Sequence, residues 1–454
     1  MVSTAVLHRN TRVMPKKAVG GEGSSVVLED GQRFLDSTGG AAVSCVGHGN
    51  KEVTDAIKRQ LDSLAYCHSA FFATPVFEEL ASFLVDSTGG KMSKVFIVSS
   101  GSEAMEAAMK LSRQYFLESG QPQRTRFIAR LPSFHGVTLG SLSMGGHLYR
   151  REMFEPLLLP NISHVSPCNA YRGKKDGESD EEYVARLAAE LDAEFQRVGP
   201  ETVCAFVAEP IVGAALGCVP AVPSYFPAMK AVCDKYGALL ILDEVMSGMG
   251  RSGTLHAWEQ EGVVPDIQTI GKGLGGGYAP VSGILINERI VSALDKGTGV
   301  FRHGQTYQGH PVGCAAALAV QKYIKEHNLL ENVRARGAQL EKRLREYLGD
   351  HPNVGDIRGK GLFWGIEFVA SKATKAPFDP SLAVGVGVQD LAQTPKYSFS
   401  IYAGGGTVDG KKGDHVLLAP AYTSTEDEID EIARRTRDVI VEYFASLQQQ
   451  HQLK

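Results

Sequence analysis

The chain has no run of basic residues. Lysine and arginine number 47 against 51 aspartates and glutamates, a net −4, so the electrostatic footprint of a nucleic-acid binder is missing. Uninterrupted apolar runs stay well below the roughly 18 residues that a membrane-spanning helix requires, and no span is expected. Cysteine is scarce and scattered: seven residues, none in a C-x-x-C pair. That argues against zinc and against a disulfide framework, and for small buried thiols in a reducing compartment. The first 17 residues are basic and lack acids, as import peptides do. Pro15 and the absence of an apolar stripe argue the other way, so the expected location is the cytoplasm.

Glycine, by contrast, is abundant at 50 residues, clustered at Gly39–Gly40, Gly89–Gly90, Gly271–Gly277 and Gly404–Gly406. Such clusters mark tight turns or close backbone approach to a ligand. The 454 residues exceed one small core, which favours two units. Val95–Val98, Cys204–Ala208, Ala238–Leu242 and Ile267–Ile270 read as short buried strands, and helical patterns lie between them. A helix is expected from Ser102 through about Glu118, closed by Gly120. This alternation predicts an α/β fold: a large domain, residues 66–320, with a mainly parallel, doubly wound sheet. A smaller α/β domain is expected from both chain ends, residues 1–65 and 321–454. It contains a charged helix over 328–347, a strand over 361–369, a helix over 426–444, and a frayed polar tail from Gln448.

In such sheets ligands bind beyond the carboxyl ends of the strands, and Ser100, Glu209, Asp243 and Lys272 all fall there. Ser99-Ser100-Gly101-Ser102-Glu103 joins a strand to a helix start, where free N–H groups and the helix dipole favour an anion. Ser100 and Glu103 also fit a capping box, and a plain capped helix reads the same way. Asp243 follows an apolar strand, where an acid needs a partner. A pyridinium nitrogen qualifies, as does a buried ion pair. Lys272 lies between Gly271 and Gly273. At a poorly solvated strand end its amine is more easily neutral and nucleophilic. A P-loop would need Ser or Thr at 273. The G-x-G-x-x-G at 271–276 lacks a following helix, because Tyr278-Ala279-Pro280 comes next.

Taken together, the chain resembles the class III aminotransferases of fold type I from about Gly20 to Ile440. The resemblance rests on Gly47-His48-Gly49, Ser100-Gly101-Ser102, Phe134-His135-Gly136, Glu209-Pro210, Asp243-Glu244-Val245, Gly248-Met249-Gly250-Arg251, Gly271-Lys272-Gly273, His303-Gly304-Gln305-Thr306, Arg358-Gly359-Lys360-Gly361 and Gly413-Asp414-His415. It implies pyridoxal 5′-phosphate carried by Lys272, with Asp243 on the ring nitrogen and Gly101 and Ser102 on the phosphate. Phe134 and Val245 would flank the ring, Glu209 would support the cofactor region, and Thr306 would reach the phosphate of a neighbouring subunit in a homodimer. His135, in the same motif, stands among the cofactor-binding residues or else reads as a structural turn histidine bonded to backbone.

The implied reaction is ping-pong transfer of an amino group from an ω-amino acid or amine to a keto acid such as pyruvate. Racemase, lyase and decarboxylase are the alternatives on this fold. Relatives acting on ornithine or 4-aminobutyrate tend to carry a glutamate five residues after the Glu-Pro glutamate, paired with the arginine of Arg-Gly-x-Gly. Here Ala214 stands at that position. Arg358 is therefore expected to bind a substrate carboxylate or else to brace the small domain. Some amine transaminases use a mobile arginine just before Gly-Asp-His, where this chain has Lys411 and Lys412.

Overall fold

The strands Val203–Ala208 and Leu239–Asp243 are buried at every position, and their alternation explains why. Ala205, Val207, Leu239 and Ile241 pack on one sheet face against the helix Gly101–Glu118. Phe206, Ala208, Leu240 and Leu242 pack on the other, against the helices Asp180–Val198 and Tyr225–Tyr236. A strand covered on both faces must be apolar throughout. The chain, described here over residues 4–452 of a computed structural model, builds a seven-stranded sheet on these two. Its order is Lys94–Val98, Ser282–Ile286, Ile267–Ile270, Leu239–Asp243, Val203–Ala208, Arg126–Arg130, Ile162–Val165. Ser282–Ile286 runs antiparallel to both of its neighbours. Every other pairing is parallel. The carboxyl ends of the expected strands therefore share one edge, and Ser282 starts its strand at that same edge.

The second sheet is antiparallel, ordered Val354–Lys360, Phe363–Phe368, Asp414–Leu418, Tyr402–Gly405. The helices Leu329–Leu348 and Glu426–Gln452 cover it. The strand expected over 361–369 begins at Phe363, because Gly361 turns the hairpin at φ +58°. A Cβ there would lie 2.6 Å from the Arg251 carbonyl oxygen, so only glycine lets this turn meet the Arg251–Gly253 loop. Through the tail expected to fray from Gln448 the last helix is assigned to Gln452. The final two residues of that expected tail lie outside the described residues.

The N-terminal segment forms a three-stranded sheet, Ala18–Glu22, Ser25–Leu28 and Arg33–Leu35. It is tied to the C-terminal part: Leu35 N donates to Ser398 O and Ser400 N to Leu35 O, both at 2.9 Å. The helix Pro311–Glu326 runs through the expected boundary at 320/321. Six cysteines are buried and Cys67 is half-buried, all as free thiols. Among the described residues no helix is long and apolar enough to cross a membrane.

Candidate active site

The strand Lys94–Val98 passes through Ser99–Ser100 into the helix Gly101–Glu118. The Ser100 hydroxyl accepts the Glu103 N–H at 3.3 Å. The Glu103 carboxylate in turn accepts the Ser99 N–H at 2.8 Å, so the capping box closes one residue earlier than expected. The N–H groups of Gly101 and Ser102 have no partner among the described residues. They are the orphan donors of a helix start, where an anion is favoured. A side chain at 101 would press on Val245, with Cγ1 at 3.0 Å, so this glycine lets Val245 close over the helix start.

Asp243 ends its strand and is buried. Its Oδ1 accepts the Thr269 hydroxyl at 2.8 Å and the Val245 N–H at 3.1 Å. Its Oδ2 lies 2.7 Å from His135 Nδ1. Of the two readings of His135, the bond to backbone is not what its ring makes: the ring reaches a carboxylate 108 positions away and is itself buried. The carboxylate is thus held from three sides in a fixed orientation.

Lys272 follows the strand Ile267–Ile270 at φ +43°, a strained position for a residue with a side chain. No helix follows the glycines; the chain passes to the strand Ser282–Ile286. Burial lowers the Lys272 pKa from its ordinary range, while the carboxylates of Asp243 and Glu209 act in the opposite direction. Its amine has no hydrogen bond or ion pair among the described residues. Glu209 accepts the Phe134 N–H at 3.0 Å and the Gly213 N–H at 3.1 Å, and burial raises its carboxyl above the usual range. Glu209 therefore holds the loop that presents Phe134.

A cavity of about 270 Å³ gathers these groups. Gly101, Ser102, Phe134, His135, Glu209, Asp243, Val245 and Lys272 all line it. Two expected residues do not. Thr306 is exposed, and its carbonyl accepts the Tyr66 hydroxyl at 2.9 Å. Arg358 is buried away from the cavity. It donates to the Gly217 carbonyl at 3.0 Å and to the Leu216 carbonyl. It also pairs with Asp356 at 3.0 Å and Glu367 at 2.5 Å. Glu367 lies between this guanidinium and that of Arg172, whose Nε donates to it at 2.5 Å. These are contacts that the second expected role of Arg358, bracing the small domain, would use.

Sequence reasoning missed Val43, Met246 and Ser282 on the cavity wall, and Thr269 behind Asp243. Gly39–Gly40 was the available signal for Val43, since both glycines take positive φ where the N-terminal segment turns toward the site.

A profile of the family described as aminotransferase class-III matches residues 5–440. The chain belongs to the class III aminotransferases. It is 55% identical to an aminotransferase of Gibberella zeae, over 96% of this chain and 86% of the relative. Among solved structures, a thermostable (S)-enantioselective ω-transaminase from Thermomicrobium roseum matches with a TM-score of 0.89 at 36% identity, covering 96% of each chain. An amine transaminase from an uncultivated Pseudomonas species, in its PLP-bound form, matches with a TM-score of 0.89 at 33% identity, covering 98% of each chain. The protein is a pyridoxal 5′-phosphate-dependent aminotransferase, with the α/β fold and mainly parallel sheet of that family. The cavity fits this cofactor on its own chemistry: orphan N–H donors at a helix start, a buried unpaired amine, and a carboxylate held in place at a strand end.

Proposed function

We propose that this aminotransferase moves an amino group from an ω-amino acid or amine to a keto acid such as pyruvate, in ping-pong fashion, with the cofactor tied to Lys272. The observation that carries this reading is the desolvated, unpaired Lys272 amine facing the same cavity as Asp243. Bound there, pyridoxal 5′-phosphate supplies an aldehyde for the incoming amine and a ring that draws electrons from the neighbouring C–H bond. Gly101 and Ser102 offer their N–H groups to the phosphate. Phe134 and Val245, both on the cavity wall, would flank the ring. Asp243 keeps the ring nitrogen protonated, and its three contacts prevent it from turning away. The Nζ of Lys272 takes the proton from the substrate carbon and returns it. Burial favours the neutral amine that this task needs.

On the substrate side, Ala214 and the commitment of Arg358 to Glu367 leave no glutamate–arginine gate. Val43 and Met246 give the wall apolar surface, which suits the carbon skeleton of an amine. Thr306 serves the neighbouring subunit's site in a homodimer, since it is exposed and outside its own cavity. Phe71, 76% exposed, and Met153, 87% exposed, are apolar surface suited to burial by a second copy.

A donor panel with pyruvate as acceptor tests this reading, with alanine as the product measured. Alanine is expected from ω-amino acids or amines. Turnover confined to α-amino acids would sink it.

A further inference from the structure

Beside the lysine cavity lies a second one of about 430 Å³, lined by His147, Arg150, Ala214, Tyr402, Lys411 and Asp414 among others. Phe134 separates the two. The Arg150 guanidinium lies over the Phe134 ring, 5.0 Å from its centroid, while Phe134 itself lines the lysine cavity. The other side of the partition is Tyr402 and Met246. These two share a small void, and each also lines one of the two cavities.

The cations near this space differ in what they hold. Arg358 is consumed by Asp356, Glu367 and two carbonyls. Lys411 is paired with Glu152 at 3.1 Å. Arg151 donates to the Ser143 and Gly145 carbonyls and pairs with Glu155. Arg150 makes no side-chain hydrogen bond and no ion pair among the described residues; its contact is the aromatic face. Stacking leaves the N–H edge of a guanidinium open to a carboxylate, the geometry for which arginine is suited. Of the other titratable groups facing the space, Asp414 and His147 each meet a backbone partner, while the phenols of Tyr149 and Tyr402 make no side-chain hydrogen bond among the described residues. Asp414 accepts the Gly385 N–H at 3.0 Å, and burial raises its carboxyl. The His147 ring lies 3.0 Å from the Gly405 carbonyl oxygen, and burial holds its pKa below the usual value.

We propose that Arg150 is the specificity-determining residue of this aminotransferase for a substrate carboxylate remote from the reacting carbon, received in the cavity behind Phe134. This rests on the ω-amino acid reading above and narrows it. The cation lies against a ring that itself lines the lysine cavity, so it suits a carboxylate that passes the edge of that ring, several bonds from the amine-bearing carbon. Simple amines leave Arg150 unused.

The test compares 4-aminobutyrate and 5-aminovalerate with butylamine and pentylamine as donors to pyruvate, in wild type, Arg150→Met and Arg150→Lys holoenzymes. The methionine keeps apolar contact with Phe134 and removes the charge. Cofactor absorbance is recorded for each variant, so that loss of cofactor is recognised. Arg150→Met is expected to lower kcat/KM for the amino acids about 30-fold more than for the amines, the loss of one charge-assisted contact. Arg150→Lys should recover part of that difference. Calorimetric titration with valerate and valeramide gives a readout independent of turnover: valerate binding should weaken in Arg150→Met and valeramide binding should not. If wild type makes no alanine from any of these donors, the ω-amino acid reading fails, while the valerate titration still decides the role of Arg150. Equal losses for the charged and uncharged donors, or unchanged valerate binding in Arg150→Met, would overturn the proposal.

Discussion

Lys272 is held at a backbone angle, φ +43°, that costs of order 1–3 kcal/mol. Glycine would relieve that strain, so the side chain is present for its chemistry. On the proposal above, two tasks converge on its amine, anchoring the aldehyde and moving the proton. Lys272→Ala should abolish turnover while the protein stays folded, because the loop is flanked by Gly271 and Gly273 and the amine makes no bond whose loss would unfold it. Borohydride treatment should fix the cofactor to the wild-type chain at this position and leave the variant unlabelled. Multiple turnovers in the variant, or a label on another lysine, would refute the assignment. The neighbouring carboxylate teaches a complementary point. Thr269, Val245 and His135 leave Asp243 one orientation, and in the proposed role preorganised charge of this kind would stabilise a charged reaction centre more than a mobile acid would.

At the scale of elements, Arg358 ties the antiparallel sheet to the rest of the subunit. It leaves the strand Val354–Lys360, pairs across to Glu367 on Phe363–Phe368, and binds the carbonyls of Leu216 and Gly217. Removing one member of a buried pair strands the other, at about 3–5 kcal/mol. Arg172 still compensates Glu367 here, which places the cost toward the lower end. Arg358→Met should therefore lower Tm measurably and leave the ratio of keto acid to uncharged aldehyde use intact. An unchanged Tm with a lost preference for keto acids would restore Arg358 as a substrate residue. The strand Ser282–Ile286 was not legible in advance. Its sequence, SGILI, has no alternation to distinguish it from loop or helix. It becomes a strand because Lys94–Val98 and Ile267–Ile270 leave a slot between them.

At the scale of the whole molecule, two buried histidines couple the fold to acidity. Burial holds His256 at a pKa of about 4 and His415 at about 3, the latter also under the charge of Arg358. Both are neutral in the folded chain and take up a proton only on unfolding below about 6.5, the usual histidine value. Their contribution to stability is therefore present above that pH and is lost as the pH falls toward 4. Tm should drop over this range, and His256→Gln should reduce the proton-linkage slope near pH 5.5 by about one proton. An unchanged slope would mean that the ring is charged in the fold. Assembly is the second property at this scale. In hybrids of Thr306→Ala and Lys272→Ala chains, a shared site would pair the one intact lysine with the partner chain's intact threonine, and that site should bind cofactor as wild type does. If it binds as weakly as the Thr306→Ala homodimer, the phosphate contact lies within one chain.

The sequence by itself determined the local chemistry. An acid directly after an apolar run, as at Asp243, or a lysine between glycines just past a short strand, as at Lys272, marks a strand end, and the strand ends of a doubly wound sheet meet at one edge. Asp243, Lys272 and the helix start at Gly101 were legible for that reason, as was the alternation of apolar strands with helices that predicts the sheet. Tertiary structure alone decided the partners. Nothing in the spacing says that His135 closes on Asp243, that Glu367 consumes Arg358, that Val43 comes from the far end of the chain to the cavity wall, or that Arg150 lies on Phe134. Hydrophobic periodicity encodes which side of an element is buried. It does not encode which polar group will stand opposite, because that depends on how separate strands and loops are brought together.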